Sequence, residues 1–205
     1  MTLNWANRIT ILRILLIVPF VSCMLKINDP SFAEGVRSGI RYCAVAIFLV
    51  MSVSDVLDGY LARRRGQTTK LGAFLDPTAD KLLITCACLL LASRRAGVED
   101  FLLPPTVVVV IIGKDILLLT GFLIIYFITE RIHIAPAAVG KAGTGLQLSM
   151  VASILLAPEF SALVPGWIWF LRFLWWSAAA MAVATTLVYI RRGSRYLEQA
   201  DSHGD

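Results

Sequence analysis

Long apolar stretches, separated by short polar or basic connections, dominate the chain. A helix that crosses a bilayer needs about 20 mostly apolar residues, and the chain has six candidate segments of 11 to 26 residues. The six segments are residues 9–25, 40–57, 77–92, 103–128, 146–156 and 167–190. The fifth is the shortest, and residues 143–145 are candidates for its first turn. The pattern therefore predicts an all-α integral membrane protein, built as a bundle of six transmembrane helices.

The composition agrees with this interpretation. Hydrophobic residues make up 58% of the 205 residues and charged residues only 16%, with a mean hydropathy of +0.75. Soluble domains are typically about 45–50% apolar and about 25% charged, so a bilayer is the expected surrounding. The formal net charge is +5, which in a soluble protein would suggest nucleic acid. In a membrane protein it is typical of loops that face anionic lipids, so we expect membrane lipids and no nucleic acid as partners.

The basic residues between the predicted spans are divided unevenly between the two sides of the membrane. Six spans place both termini on one side, where ten Lys and Arg residues fall, against five on the other side. The ten are Arg8, Arg63, Arg64, Arg65, Lys70, Arg131, Lys141, Arg191, Arg192 and Arg195, and the five are Lys26, Arg37, Arg41, Arg94 and Arg95. Because the more basic side is normally cytoplasmic, we predict a multi-pass protein of the cytoplasmic (inner) membrane with both termini in the cytoplasm.

Four aspartates lie at the predicted cytoplasmic ends of the second and third spans. Asp55 and Asp58 are three residues apart, and Asp76 and Asp80 are four apart. Residues at these spacings share one face of a helix. Pro77 fits the first position of a helix, with Asp76 as its N-cap. The pattern predicts two pairs of carboxylates at one side of the membrane.

These carboxylates favour a site for two divalent metal ions. Four acids that converge near the membrane repel one another, and without counterions some would be protonated. Carboxylate oxygens suit Mg²⁺ or Mn²⁺, and two ions about 3.5–4 Å apart could share bridging carboxylates. The alternative is a set of solvated acids paired with basic residues of the connecting loop, and a lone D-x2-D would not distinguish the two.

The full spacing is much more specific. It reads D-x2-D-G-x2-A-R-x8-G-x3-D-x3-D and is matched by Asp55, Asp58, Gly59, Ala62, Arg63, Gly72, Asp76 and Asp80. This string resembles the signature of the CDP-alcohol phosphatidyltransferase family. The N-terminal Asn7-x2-Thr10-x2-Arg13 is similar to the phosphatidylglycerol branch of that family. The resemblance implies a membrane domain over residues 1–195, a polar C-terminal tail over residues 196–205, and a homodimer.

The resemblance also implies an activity and a role for each residue of the motif. The activity is transfer of the phosphatidyl group of CDP-diacylglycerol to an alcohol, with release of CMP. Asp55, Asp58 and Asp76 would hold two Mg²⁺ or Mn²⁺ ions. Asp80 would complete the second metal site and act as the general base. The implied donor-binding residues are Gly59, Ala62, Arg63, Gly72, Asn7 and Thr10.

The acceptor site is expected around Lys114 and Lys141. Lys114 lies in the fourth apolar segment beside Asp115, and adjacent helical side chains point about 100° apart, so the two are not expected to neutralise each other across one face. A buried ion pair is the alternative to acceptor binding. Lys141 lies in a segment similar to the GKxKT of phosphatidylglycerophosphate synthases, although Gly143 stands where that pattern has its second Lys. Arg172 fits snorkelling or pairing with Asp115 as well as a substrate role.

Two acceptors remain open at this point. Glycerol 3-phosphate is favoured narrowly, which would make the chain a phosphatidylglycerophosphate synthase. The region from Lys114 onward, including Thr144, Gln147 and the Ala157-Pro158 pair, is also similar to the cardiolipin synthases of the family, whose acceptor is phosphatidylglycerol. More distant alternatives are a membrane prenyltransferase, which also uses Asp-rich motifs and Mg²⁺, and a non-enzymatic cation-binding transporter.

Overall fold

The fold is helical throughout the part of the chain that the computed structural model describes. That part comprises the backbone of residues 5–65, 70–129 and 138–201, and the side chains of residues 10–54, 79, 81–121, 140 and 142–191. The helices are α1 (Trp5–Met24), α2 (Glu34–Arg65), α3 (Lys70–Ala92), α4 (Pro105–Thr129), α5 (Ala138–Leu155), α6 (Ala157–Leu163) and α7 (Trp167–Asp201). No strand occurs within these backbone ranges. The prediction of an all-α protein is confirmed for them.

Each of the six predicted apolar segments falls on one of the longer helices. The helices extend beyond the apolar segments, because backbone hydrogen bonding continues into polar residues that the hydrophobic pattern does not include. Thus α2 continues to Arg65 and α7 continues to Asp201. The helix α5 begins at Ala138, so it includes the candidate first turn at residues 143–145. The short helix α6 was not predicted from the pattern.

The predicted start of the third helix is wrong. It was placed at Pro77 with Asp76 as N-cap, but α3 begins at Lys70, so both residues lie inside the helix. A proline inside a helix removes one backbone donor, which membrane helices tolerate when neighbouring groups satisfy the freed carbonyl. Asp76 and Asp80 remain four residues apart on one helix, so they still share a face.

Two helices among the described residues are long and apolar enough to cross a membrane, namely Glu34–Ser54 within α2 and Trp167–Arg191 within α7. A third candidate consists of Ala142–Leu155 and Ala157–Leu163, which are bent by 72° at a short break. Shorter apolar helices occupy Thr10–Met24 and Lys81–Ala92. The membrane character of the fold is therefore supported, and the number of six spans stays a prediction.

The chain divides into two compact units. The first comprises residues 1–103 and 151–171, and the second comprises residues 104–150 and 172–205. The division falls within α5 and within α7, so each of these helices contributes to both units. The single domain predicted over residues 1–195 stays a prediction, and each unit is described by itself below.

In the first unit, α1 packs against both α2 and α3. Phe20 of α1 and Phe48 of α2 are fully buried, and their ring centroids lie 5.9 Å apart. The connection after α1 is tied to the connection after α3, because the Asn28 side-chain amide donates to the carbonyl oxygens of Gly97 (2.7 Å) and Arg94 (3.3 Å). These contacts fix α2 and α3 as neighbours of the same helix.

An ion pair joins α2 to the break between α5 and α6. The Arg41 guanidinium donates to both carboxylate oxygens of Glu159, at 2.8 Å for the Nη1–Oε2 bond, and its Nη1 also donates to the carbonyl oxygen of Leu155 at 3.0 Å. Carbonyl groups at the end of a helix have no partner within that helix, and Pro158 cannot donate a backbone hydrogen bond. Arg41 therefore satisfies a carbonyl that the break leaves available.

In the second unit, α5 lies close against α7. A Cβ atom built on Gly143 would lie 3.3 Å from Met181 Cγ and 3.8 Å from Thr185 Oγ1. A Cβ atom built on Gly140 would lie 3.7 Å from the Tyr189 hydroxyl oxygen. The two glycines thus allow the backbone of α5 to approach side chains of α7.

Large apolar side chains are exposed along several helices. Leu15 of α1 is 62% exposed, Val109 of α4 is 70% exposed, and Phe173 of α7 is 69% exposed. Soluble monomers rarely expose apolar surface on this scale. These side chains have the distribution expected of helices that face lipid.

Candidate metal and substrate site

The four aspartates of the motif lie on consecutive helices of the first unit. Asp55 and Asp58 belong to α2, and Asp76 and Asp80 belong to α3. Asp55 lies ten residues before the end of α2 at Arg65, and Asp80 lies ten residues after the start of α3. Asp58 and Asp76 lie seven and six residues from the same two helix ends. At a rise of about 1.5 Å per residue, each helix therefore carries its carboxylates about 10 and 15 Å from the connection.

This placement fits a metal site as far as the backbone shows it. Both helices pack against α1, and helices joined by a connection of a few residues are normally antiparallel neighbours. On such a pair of helices, Asp55 would lie level with Asp80 along the helix axes, and Asp58 level with Asp76, because each pair is about equally far from the connection. The side chains of all four aspartates lie outside the described residues, so metal binding by them stays a prediction. Among the side chains that are described, no group of three or more His, Cys, Asp and Glu could hold a metal.

The predicted donor-binding residues flank these aspartates along the chain. Gly59, Ala62 and Arg63 belong to the last two turns of α2, and Gly72 belongs to the first turn of α3. Asn7 belongs to the first turn of α1. The side chains of Ala62, Arg63 and Asn7, and the surroundings of both glycines, lie outside the described residues. Their donor-binding roles therefore stay predictions.

Thr10 is the one predicted donor-binding residue with a described side chain, and it is buried at 1% exposure. Arg13 follows three residues later, on the same face of α1, and is also 1% exposed. Phe20 and Met24 continue that buried face. Since α1 packs against α2 and α3, the face that carries Thr10 and Arg13 is the face buried in the first unit.

The burial of Arg13 is a feature that the sequence analysis missed as a site signal. Arginine is almost never fully buried unless it has polar or charged partners. In the sequence, Arg13 is the last member of the segment Asn7-x2-Thr10-x2-Arg13. A basic residue inside the first apolar segment was the available signal, because intramembrane charges usually mark functional or ion-paired positions.

The predicted acceptor residues lie in the second unit. Lys114 is 8% exposed, and its Nζ lies 3.2 Å from Asp115 Oδ1. The expectation that these adjacent side chains do not neutralise each other is therefore wrong. The long lysine side chain has enough rotatable bonds to reach round the helix to its neighbour. Lys141 lies in α5, and its side chain is outside the described residues.

Gly143 explains one departure from the GKxKT pattern. The residue is buried, and its backbone approaches Met181 and Thr185 of α7. A lysine at this position would direct its Cβ toward Met181 Cγ at 3.3 Å, which is tighter than ordinary van der Waals contact. In this chain the position is therefore used for packing between α5 and α7. Arg172, the remaining charged residue with an open role, is exposed in the first turns of α7.

The chain belongs to the CDP-alcohol phosphatidyltransferase family, because the family model matches residues 3–190, which is nearly the whole chain. The resemblance inferred from the aspartate spacing is thereby confirmed, and the protein is an enzyme of the phosphatidyltransferase class. Membership also excludes the prenyltransferase and transporter alternatives.

Several relatives of this chain carry the name CDP-diacylglycerol–glycerol-3-phosphate 3-phosphatidyltransferase. The relative from Bacillus subtilis (strain 168) is 35% identical over 156 residues, which cover 75% of this chain and 77% of the relative. The relative from Sodalis glossinidius (strain morsitans) is 33% identical over 119 residues, covering 57% of this chain and 62% of the relative. The relative from Oryza sativa subsp. japonica, whose name adds '1, chloroplastic', is 31% identical over 163 residues. These residues cover 71% of this chain and 47% of the relative.

Proposed function

We propose that this enzyme transfers the phosphatidyl group of CDP-diacylglycerol to glycerol 3-phosphate and releases CMP, so that it makes phosphatidylglycerophosphate for anionic phospholipid synthesis. The observation that carries the proposal is the family membership together with similar proteins that are named for this reaction. Their names support glycerol 3-phosphate over phosphatidylglycerol as the acceptor. The acceptor was only narrowly favoured from the sequence, since no residue decided it.

The proposed reaction is a single displacement at phosphorus. A hydroxyl oxygen of glycerol 3-phosphate forms a bond to the phosphorus that carries diacylglycerol, and the bond from that phosphorus to the CMP oxygen breaks. CMP leaves with the electron pair of the broken bond. The proton of the attacking hydroxyl passes to the Asp80 carboxylate, which is the role that a general base requires.

Other residues of the motif have roles that their chemistry supports. Asp55, Asp58 and Asp76, with Asp80, offer the hard oxygen ligands that two Mg²⁺ or Mn²⁺ ions prefer. When bound, such ions supply positive charge that polarises the donor diphosphate. Arg63 is suited to pair with a phosphate oxygen. Gly59 and Gly72 would permit close approach of the backbone to the nucleotide.

Lys114 and Lys141 are the proposed acceptor-binding residues. Both would contribute positive charge toward the phosphate of glycerol 3-phosphate. Lys114 is already paired with Asp115 at 3.2 Å, so its net attraction for an anion is reduced. On this proposal Lys141 contributes more to acceptor binding than Lys114 does.

The proposed setting is the cytoplasmic membrane, with the aspartates at its cytoplasmic side. The distribution of basic residues supports this orientation, because ten of them fall on the side of the aspartates and five on the other. The donor is a lipid and the acceptor is water-soluble, so a site at that side would meet both. The homodimer implied by the family resemblance is part of the same proposal.

The test is a CMP-release assay with the purified protein in mixed micelles that contain CDP-diacylglycerol. Glycerol 3-phosphate, phosphatidylglycerol, inositol phosphate and serine are each supplied alone, and lipid products are identified by mass spectrometry. We expect CMP and phosphatidylglycerophosphate with glycerol 3-phosphate, loss of both in excess EDTA, and recovery with added Mg²⁺. Cardiolipin formed from phosphatidylglycerol, with no product from glycerol 3-phosphate, would reverse the acceptor assignment.

A further inference from the structure

A buried glutamine on α5 has a side-chain donor without a partner. Gln147 is only 1% exposed, and within the described part of the chain its Nε2 atom has no hydrogen-bond partner. A glutamine amide carries two N–H donors and a carbonyl acceptor. Leaving such a group buried and unpaired is unfavourable, and most buried polar side chains have at least one partner. A retained orphan donor points to a partner that binds from outside the chain.

The neighbours of Gln147 on α5 do not supply that partner. The Thr144 hydroxyl donates to the carbonyl oxygen of Gly140 at 3.2 Å, and the Ser149 hydroxyl donates to the carbonyl oxygen of Gly145 at 2.9 Å. Both hydroxyls are therefore engaged with the backbone of their own helix. The Gln147 amide nitrogen makes no such hydrogen bond to the backbone of α5.

The facing part of α7 does not supply the partner either. Gly140, Gly143 and Gln147 lie within about 60° of one another around α5, and the two glycines face Tyr189, Met181 and Thr185 of α7. The Thr185 hydroxyl donates to the Met181 carbonyl oxygen at 2.7 Å. The next turn of α7 carries the buried residues Ala178 and Ala182, whose methyl side chains offer no hydrogen-bonding group.

We propose that Gln147 is an acceptor-binding residue that determines specificity for a phosphorylated polyol, through a hydrogen bond between its amide and a hydroxyl of the acceptor. This inference rests on the proposed function and extends it. An amide can donate to a hydroxyl oxygen and accept from the hydroxyl hydrogen, so it suits an alcohol better than it suits an anion alone. Gln147 lies six residues beyond Lys141 on the same helix, about 9 Å along its axis. The lysine would attract the phosphate, and the glutamine would contact the alcohol part.

The test compares the KM for glycerol 3-phosphate with the KM for CDP-diacylglycerol in Gln147→Met. Methionine keeps the volume of the side chain and removes its hydrogen-bonding groups. We expect the KM for glycerol 3-phosphate to rise about tenfold, the effect of one lost hydrogen bond to a ligand. The KM for CDP-diacylglycerol should stay within about twofold of the wild-type value, and thermal stability in detergent should be unchanged or higher.

The matched control is Ser149→Ala, an exposed position on the same helix, which should leave both KM values unchanged.

Three outcomes would overturn the inference. An unchanged KM for glycerol 3-phosphate in Gln147→Met would exclude an acceptor contact. Equal increases of both KM values with a lower melting temperature would indicate a packing role. If neither Gln147→Met nor the smaller Gln147→Asn folds, the residue supports the fold and the inference also fails. Wild-type CMP release is measured in parallel, so a wild type that is inactive with glycerol 3-phosphate would count against the proposed function instead.

Discussion

At the scale of single residues, the charged side chains of this protein occupy positions that a membrane helix normally excludes. Arg13 and Lys114 are both nearly inaccessible, at 1% and 8% exposure. Charges within membrane helices are costly and are retained where they bind, react or pair. Of these two residues, Lys114 forms an ion pair with Asp115. A reactive role is proposed for the aspartates of the motif, because their spacing resembles the signature of the family.

Replacement of Asp80 tests the general-base assignment. Asp80→Asn removes the proton acceptor but keeps the shape of the side chain, so we expect CMP release to fall by about 10²–10⁴-fold. Binding of CDP-diacylglycerol, measured by its protection against thermal unfolding, should be weakened much less. Glu99→Gln, which changes an exposed acid in the connection between α3 and α4, is the control and should retain full activity. Full activity in Asp80→Asn would remove the residue from the reaction.

Replacement of Lys114 separates its two possible roles. Lys114→Met leaves a mostly buried Asp115 without this ammonium group, so we expect the free energy of unfolding to fall by about 3 kcal/mol. The double variant Lys114→Met/Asp115→Asn should recover most of that loss, because neither of the two side chains then carries a charge. The KM for glycerol 3-phosphate should stay raised in the double variant if Lys114 also binds the acceptor. Unchanged stability in the single variant would show that the ion pair does not support the fold.

At the scale of the helices, the break between α5 and α6 is stabilised by contacts with another helix, α2. The two helices are bent by 72°, and Pro158 follows the break closely. Arg41 of α2 contacts both sides of it, through the Leu155 carbonyl oxygen and the Glu159 carboxylate. In an apolar setting a free carbonyl has no water to bind, so a side-chain donor at the break stabilises the bend.

Replacement of Arg41 tests this contact. Arg41→Met removes the side-chain donor to the Leu155 carbonyl and leaves the Glu159 carboxylate with only its hydrogen bonds from Tyr42 and from backbone. We expect a loss of about 1–3 kcal/mol in unfolding free energy. This expected loss is smaller than the loss for a fully buried ion pair, because the Glu159 side chain is 30% exposed. The double variant Arg41→Met/Glu159→Leu should be more stable than the single variant in thermal unfolding. Equal stability of the two variants would show that the carboxylate is solvated and needs no partner.

At the scale of the whole molecule, the composition and the exposed apolar side chains agree on a bilayer environment. The described residues contain two helices that fit a span, or three when the bent pair is counted as one. The six spans, the cytoplasmic termini and the cytoplasmic position of the aspartates form one connected prediction. A change in the number of spans by one would move the C-terminus to the other side.

Cysteine labelling tests that topology. The four native cysteines, Cys23, Cys43, Cys86 and Cys88, are first replaced, and single cysteines are then placed at Glu99→Cys or Ser202→Cys. A membrane-impermeant maleimide should label position 99 in intact cells and position 202 only after permeabilisation, because the connection after α3 lies opposite the C-terminus in a six-span protein. Labelling of both positions in intact cells, or of neither, would rule out six spans in this orientation.

The sequence by itself determined the features that depend on local information. The apolar segments located the six long helices, because the length and hydropathy of a span are properties of consecutive residues. The full motif from Asp55 to Asp80 carried the resemblance to the family, and helical periodicity placed each pair of aspartates on one face of its helix. The start of α3 at Lys70 and the helix α6 were not recovered, since polar residues that continue a helix leave no hydrophobic signal.

Only the tertiary structure decided the contacts between residues that are distant along the chain. Arg41 and Glu159 are 118 residues apart, and no local pattern predicts that they pair across a helix break. The packing of Gly143 against Met181 and the burial of Gln147 depend on which face of α5 meets α7. Hence the family resemblance carried by the motif implied the transferred group, whereas the proposed acceptor contact of Gln147 rests on long-range packing between helices.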